Sequence, residues 1–342
     1  MKYNRIWILL IFLMMTSCQF GYYFSSFKNQ VSMMSNREPV DEVLNKKDLT
    51  ADQRQKIILS QKARIYAFEK LKLKETKNYS TYIDLKRPYV TWVVQAAYKW
   101  EIKNYEWSYL FLGKMPYKGF FNEADAKAEA EILNQQGFDT YVRGVSAYST
   151  LGYLQDSLLS SMLRYKEHDL VNTIIHELVH TTIYIKNNSD FNERLAVFIG
   201  AKGTEMFYKD LEGENSKMLE TIKNDNEDEF LFGQFISQEI NLVKDWYKNN
   251  SQSNDEQRQI RLNEILNSFN TKLKPKLKTN SYSRFTNEKM NNARLGMFKT
   301  YMENLDEFDK IYEKYDKNLL RFIEAVKTLE SSKDPTKDLK ML

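Results

Sequence analysis

Cysteine is nearly absent from this chain: 342 residues hold one, Cys18, and only three histidines. A single thiol excludes an internal disulfide framework, and thiolate metal sites such as zinc ribbons and iron–sulfur clusters. Glycine (11) and proline (5) are also scarce, which argues against a turn-rich all-β fold, while plentiful lysine and glutamate favour helix. Neither sign of charge dominates. Fifty basic residues against 46 acidic ones leave a net +4, interspersed, which is not the footprint of a nucleic-acid-binding surface. The one long apolar run, Ile6 to Met15, has ten residues, half of what a membrane-spanning helix needs. What remains, 42% hydrophobic and 28% charged, is the composition of a soluble globular protein with enough chain for a substantial core.

The first residues are read as targeting rather than fold. Lys2 and Arg5 precede the apolar run, and Thr16, Ser17 and Cys18 follow it. These are the length and flanks of a secretory signal. Small residues leading into a cysteine resemble the bacterial lipoprotein processing site, with Met15 where that site prefers leucine. The resemblance implies a signal peptide over 1–17, lipidation of Cys18, and a tether over 18–45. The body would then lie in the cell envelope, membrane-anchored by lipid and periplasm-facing. A cleaved signal with an incidental cysteine is the plainer alternative.

Apolar spacing predicts a long helix over 50–75. Between Tyr82 and Gly152 the texture is β-branched and aromatic, with one helical stretch, "FNEADAKAEAEILNQQG", that Gly137 would cap. From Glu167 onward everything reads as helix, with a polar break at 251–257 and a frayed tail over the last ten residues. The fold class that follows is α+β and mostly helical: a small antiparallel sheet, a helical core and a C-terminal helical region. The expected layout is one unit over 46–342, α+β to residue 165 and helical from 166.

Two of the three histidines stand four residues apart in "HELVH", His176 and His180, with Glu177 beside the first. On a helix the two imidazoles are about 40° and one turn apart, so they can grip one Zn²⁺ while Glu177 acts as general base. Ile174, Ile175, Leu178, Val179 and Ile183 make the surroundings apolar. Two buried histidines satisfied by ordinary hydrogen bonds would be the bland explanation. A catalytic zinc takes a third protein ligand. No spare cysteine exists, and His168 lies eight residues before His176, too far along the helix axis. The three-histidine form of the motif fails, because Ile183 and Lys186 replace its glycine and histidine. The third ligand should be a carboxylate. Glu193 is the leading candidate, in the first turn of a helix beginning near Phe191. Glu205, more than three turns further on, is its rival, and Asp190 fits an N-cap role instead. Glu193 would alternatively complete a capping box with Asp190.

"NERLA", 192–196, is similar to the N-E-x-x-A element in which glu-zincin peptidases carry their third ligand. A closer resemblance is to a family of bacterial lipoproteins described as predicted zinc aminopeptidases. It is carried by "GYY", "REPVDEVL", "YIDLKRPYVTW" (82–92), "YKGFF" (117–121), "GVSAYSTLG" (144–152), the histidine motif, "FNE" and "NNARL" (291–295). It implies a zincin-type catalytic core, one zinc ion, a peptide substrate and hydrolysis with Glu177 as base. It also implies a strand edge that binds substrate backbone, placed at Ala147, Tyr148, Ser149 and Thr150. Oxyanion donors would come from Tyr148, Tyr282 or Arg294. No G-x-M-E-N-like element for the substrate's amino group is present. An envelope endopeptidase or amidase, and a non-catalytic lipid-anchored helical scaffold, are the competing readings.

Overall fold

The computed structural model describes residues 21–342 apart from 25, 27, 110–112 and 148–154. The expected signal segment and Cys18 lie outside the described residues. Among the described residues no helix is long and apolar enough to cross a membrane.

A two-residue strand, β1 (Glu38–Pro39), and a short helix, α1 (Val40–Leu44), lead to the first long helix, α2 (Ala51–Glu69). Thr50 starts α2. Its hydroxyl accepts the Gln53 backbone N–H, and the Gln53 side chain accepts the Thr50 N–H, so two otherwise orphaned donors are satisfied reciprocally. The helix stops short of the predicted residue 75. Lys72 turns to φ +55°, and the Leu73 N–H bonds back to the Ala67 carbonyl.

The antiparallel sheet that the alternation predicts consists of β3 (Thr91–Tyr98), β6 (Tyr117–Phe120) and β7 (Phe138–Val145), in the order β6–β3–β7. Outside it lie a hairpin, β4 (Trp107–Tyr109) with β5 (Gly113–Met115), and a small sheet in which β2 (Thr81–Ile83) pairs with β1 and, in parallel, with β8 (Leu158–Leu159). One face of β3, through Val94 and Ala96, packs on Ala126, Ala130 and Leu133 of helix α3 (Glu123–Gln135). Gly137, at φ +89°, follows α3 as the sequence predicts.

The rest is helical: α4 (Glu167–Thr182), α5 (Ser189–Glu212), α6 (Lys217–Asn249), α7 (Asp255–Ser268), α8 (Asn292–Met302), α9 (Asp306–Lys314), α10 (Leu319–Lys327) and α11 (Pro335–Leu339). The polar break ends earlier than its composition suggests, since Asn254 and Gln257 form a capping box and α7 begins at Asp255. Helix α8 is latched to the sheet. The Asp139 carboxylate of β7 accepts the Asn292 N–H and pairs with Arg258, while the Asn292 amide donates to the Tyr98 and Lys99 carbonyls. The largest core cluster joins α2, α4, α5, α9 and α10, and a second gathers around Phe232, Ile236 and Phe269.

The tail is not frayed. Asp334 caps α11, Pro335 occupies its first turn, and Leu339 is 1% exposed in the largest core cluster. Pro335 and Leu339 are buried on α11 and Leu342, just beyond the helix, packs on the same cluster, a pattern that the charged residues between them conceal in the sequence. Leu339→Ala is expected to lower the unfolding free energy by about 2–4 kcal/mol in a denaturant titration. An unchanged midpoint would mean that the tail is not docked.

Candidate metal centre

The helix that carries the histidines is buried along Leu170, Val171, Ile174, Ile175, Leu178 and Val179. Thr181 and Thr182 both turn their hydroxyls back to the Leu178 carbonyl, and Ile183 leaves in an extended conformation, so α4 ends one turn after His180 at most. The chain reverses through Asn187 at φ +62°. Asn192 then sets the phase of α5. Its amide oxygen accepts the Ile185 N–H at 2.9 Å and its amide nitrogen donates to the Ile185 carbonyl at 2.8 Å. With Asn192 held against the incoming loop, the next residue, Glu193, faces α4. Small residues let the two helices approach closely: a Cβ on Gly200 would lie 3.5 Å from the His176 Cβ, and one on Gly203 only 3.2 Å from the Ile175 Cγ2.

Three lone-pair donors converge at this crossing. The His176 and His180 Nε2 atoms are 3.2 Å apart, and the Glu193 Oε2 is 3.4 Å from the first and 3.5 Å from the second. The other Glu193 oxygen, Oε1, accepts the Tyr117 hydroxyl of β6 at 3.4 Å. That contact fixes which oxygen turns toward the imidazoles. Burial raises the Glu193 carboxyl, but the charge of His180 and the hydrogen bonds to both rings outweigh it and hold the group well below the usual carboxylate range. Glu177 behaves oppositely. Burial pushes it up to about 7; His176 opposes that shift, while Glu193 and Asp156 add to it. Two carboxylates beside one histidine pair are thus driven apart in proton affinity, one to stay charged and one to exchange a proton near neutrality.

Phenols and one guanidinium surround them. Burial, reinforced by Glu193, keeps Tyr117 protonated, and the same two causes act on Tyr301 of α8. Arg143 of β7 lies over the Tyr301 ring at 5.9 Å and hydrogen-bonds its hydroxyl. As a donor set, two imidazoles and a carboxylate within one small volume suit a divalent cation of intermediate softness, and among the described residues this is the one such His/Cys/Asp/Glu group.

Comparison with protein families matches residues 21–341 to the family described as "Putative aminopeptidase". The chain belongs to that family. Comparison with curated proteins and with solved structures gives no match.

In this member of the family the structure brings His176, His180, Glu193 and Glu177 together. It does not bring the other carboxylates with them. Asp190 is not the N-cap, because Asn188 precedes the helix; its carboxylate instead accepts the Thr300 hydroxyl at 2.9 Å, so the capping-box alternative fails. Glu205 lies three turns along α5, and burial of Tyr312 is the effect it reinforces. His168 is buried at the start of α4 with its Nε2 3.0 Å from Asp225. Of the residues expected to bind substrate, Ala147 lies two positions beyond the end of β7 and packs against the main core, while Tyr148, Ser149 and Thr150 lie outside the described residues. Tyr282 is stacked on Phe232 at 4.1 Å, and the carboxylates around it are Glu229, Asp228 and Asp225 of α6. Arg294 is bound to the Glu288 and Phe285 carbonyls, where it pins the segment before α8. Neither is among the groups that sense the three-ligand cluster; Tyr301 is, with Arg143 over its ring. Tyr117 lies in "YKGFF", a block singled out by resemblance alone, whereas Tyr301 sits in an ordinary helical stretch with no local signal.

Tyr117→Phe is expected to weaken metal binding by about tenfold, measured by competition with a chelator, with the melting temperature of the metal-free protein little changed. Unaltered affinity would mean that the phenol does not orient Glu193.

Proposed function

We propose that the protein is a zinc-dependent aminopeptidase, anchored by lipid on Cys18 at the periplasm-facing side of the cell envelope, with peptides as substrates. One observation carries the metal assignment. A tetrahedral zinc with bonds of about 2.05 Å sets its ligand atoms about 3.3 Å apart. The three separations here are 3.2, 3.4 and 3.5 Å. His176, His180 and Glu193 would therefore hold the ion without rearrangement. Bound there, zinc would supply Lewis acidity toward a peptide carbonyl and lower the pKa of water.

The chain's own groups do the rest. Glu177, partly accessible and adjacent to the ligands, takes a proton from the attacking water and returns it to the departing amine. A carboxyl raised to about 7 suits both halves of that exchange. Tyr301, kept protonated and hydrogen-bonded by Arg143, is the donor placed to steady the carbonyl oxygen. The end of β7, running into Ala147, would align the peptide backbone. A structural zinc normally takes four protein ligands, whereas among the described residues three converge here, which favours catalysis over a scaffold role.

Glu177→Gln should retain one zinc per chain by elemental analysis and lose at least about a hundredfold in kcat. His180→Ala should lose the metal, and chelation of the parent protein should abolish hydrolysis that added Zn²⁺ restores. A Glu177→Gln protein with full activity would refute the mechanism. The anchor is tested separately: Cys18→Ala should move the protein from the membrane fraction to the soluble one, and an unchanged distribution would discard it.

A further inference from the structure

The chain just after Cys18 is fastened to the body at two points. Every described residue from 21 to 35 is helical. Tyr22 makes the first fastening. Its hydroxyl donates to the Gly119 carbonyl of β6 at 2.9 Å, its ring meets Phe120 edge-on at 5.4 Å, and the Lys118 ammonium lies over it at 4.5 Å. Met33 makes the second, packed against the largest core cluster. At 3.6 residues per turn these two lie about 20° apart around the axis, so one face of the segment is committed to the body. Phe24 and Val31 are also about 20° apart, and they stand on the opposite face, about 160° or more from Tyr22. Phe24 is 63% exposed and Val31 48%, and the exposed Lys28 lies beside them on that face.

Two exposed apolar side chains do not by themselves name a partner. The chain that leads to them does. Gly21 stands three residues after Cys18, a span of at most about 11 Å when fully extended. A lipid on Cys18 would be embedded in the bilayer, so the helical segment would start within that distance of the headgroups. A helix lying in the interface sinks its apolar side chains about 5–10 Å, while lysine stems carry their ammonium groups out to the phosphates. Phe24, Val31 and Lys28 have the arrangement this requires. We propose that the segment 21–35 lies along the bilayer surface, with Phe24 and Val31 inserted and Lys28 at the lipid phosphates, and so docks the body on the membrane in one orientation. This rests on the lipid anchor proposed above. β6 carries the consequence inward: Gly119 receives Tyr22, and Tyr117, two residues before it, meets Glu193 at 3.4 Å. The candidate metal centre is thereby held at a fixed attitude to the membrane.

The test uses the lipid-bearing protein in phosphatidylcholine–phosphatidylglycerol vesicles. Cys18 is the chain's one cysteine and offers no thiol once lipidated, so a single introduced cysteine can carry an environment-sensitive dye. On Val31→Cys the dye should be quenched by lipids with bromine high on their chains at least about threefold more than on Leu211→Cys or Ile260→Cys, exposed positions of α5 and α7. Adding Phe24→Glu should remove that difference while the protein still floats with the vesicles and melts at the parent temperature. Equal quenching at all three sites, or strong quenching at residue 31 that survives Phe24→Glu, would overturn the docking and leave the anchor standing. Disulfide-linked dimers of the Val31→Cys protein at low surface density would overturn it in favour of a second copy of the chain. A parent protein that takes up dye on Cys18, or that does not float with the vesicles, defeats the anchor and the docking together.

Discussion

The structure depends on the close crossing of α4 and α5, which holds two imidazoles and a carboxylate within hydrogen-bonding range of one another inside an apolar core. Such a gathering is unfavourable in isolation: burial opposes the charge on Glu193, and two ring nitrogens aim lone pairs at the same point. It is tolerated because both helices are embedded in the largest core cluster, and because glycines at 200 and 203 let the backbones approach. The packing supplies the free energy that keeps these three donors together, in an arrangement that could hold a metal ion.

Around that crossing the sheet acts as a second wall. β6 delivers Tyr117 to the far oxygen of Glu193, and β7 delivers Arg143 to Tyr301. The latch from Asp139 through Asn292 holds α8 against β3 and β7, so Tyr301 and Arg143 are positioned by one connected set of contacts.

How much of this the sequence disclosed varied with the range of the interaction. His176, Glu177 and His180 were legible because the helical repeat alone places them on one arc, and Glu193 because few other ligands stood nearby. The helix boundaries at Thr50 and Gly137 were legible for the same local reason. The docked tail was not, since Leu339 is buried by partners far along the chain while its sequence neighbours are charged. Tyr282 and Arg294 were misjudged as donors for a similar cause: a phenol or guanidinium looks alike in sequence whether it faces a ligand or pins a loop. Tyr301 carried no local signal, because what distinguishes it is which groups on other elements it meets.

The proposed metal ligands all fall between residues 176 and 193, one helix, one turn and the start of the next. Closing so short a loop carries little entropy penalty, whereas Tyr117, Arg143 and Tyr301 must arrive from distant parts of the chain. The three donors of the helical hairpin are therefore brought together by local chain geometry alone. Tyr117, Arg143 and Tyr301 reach this corner only through contacts between distant parts of the chain, so the donor set and its surroundings are fixed by interactions of very different range.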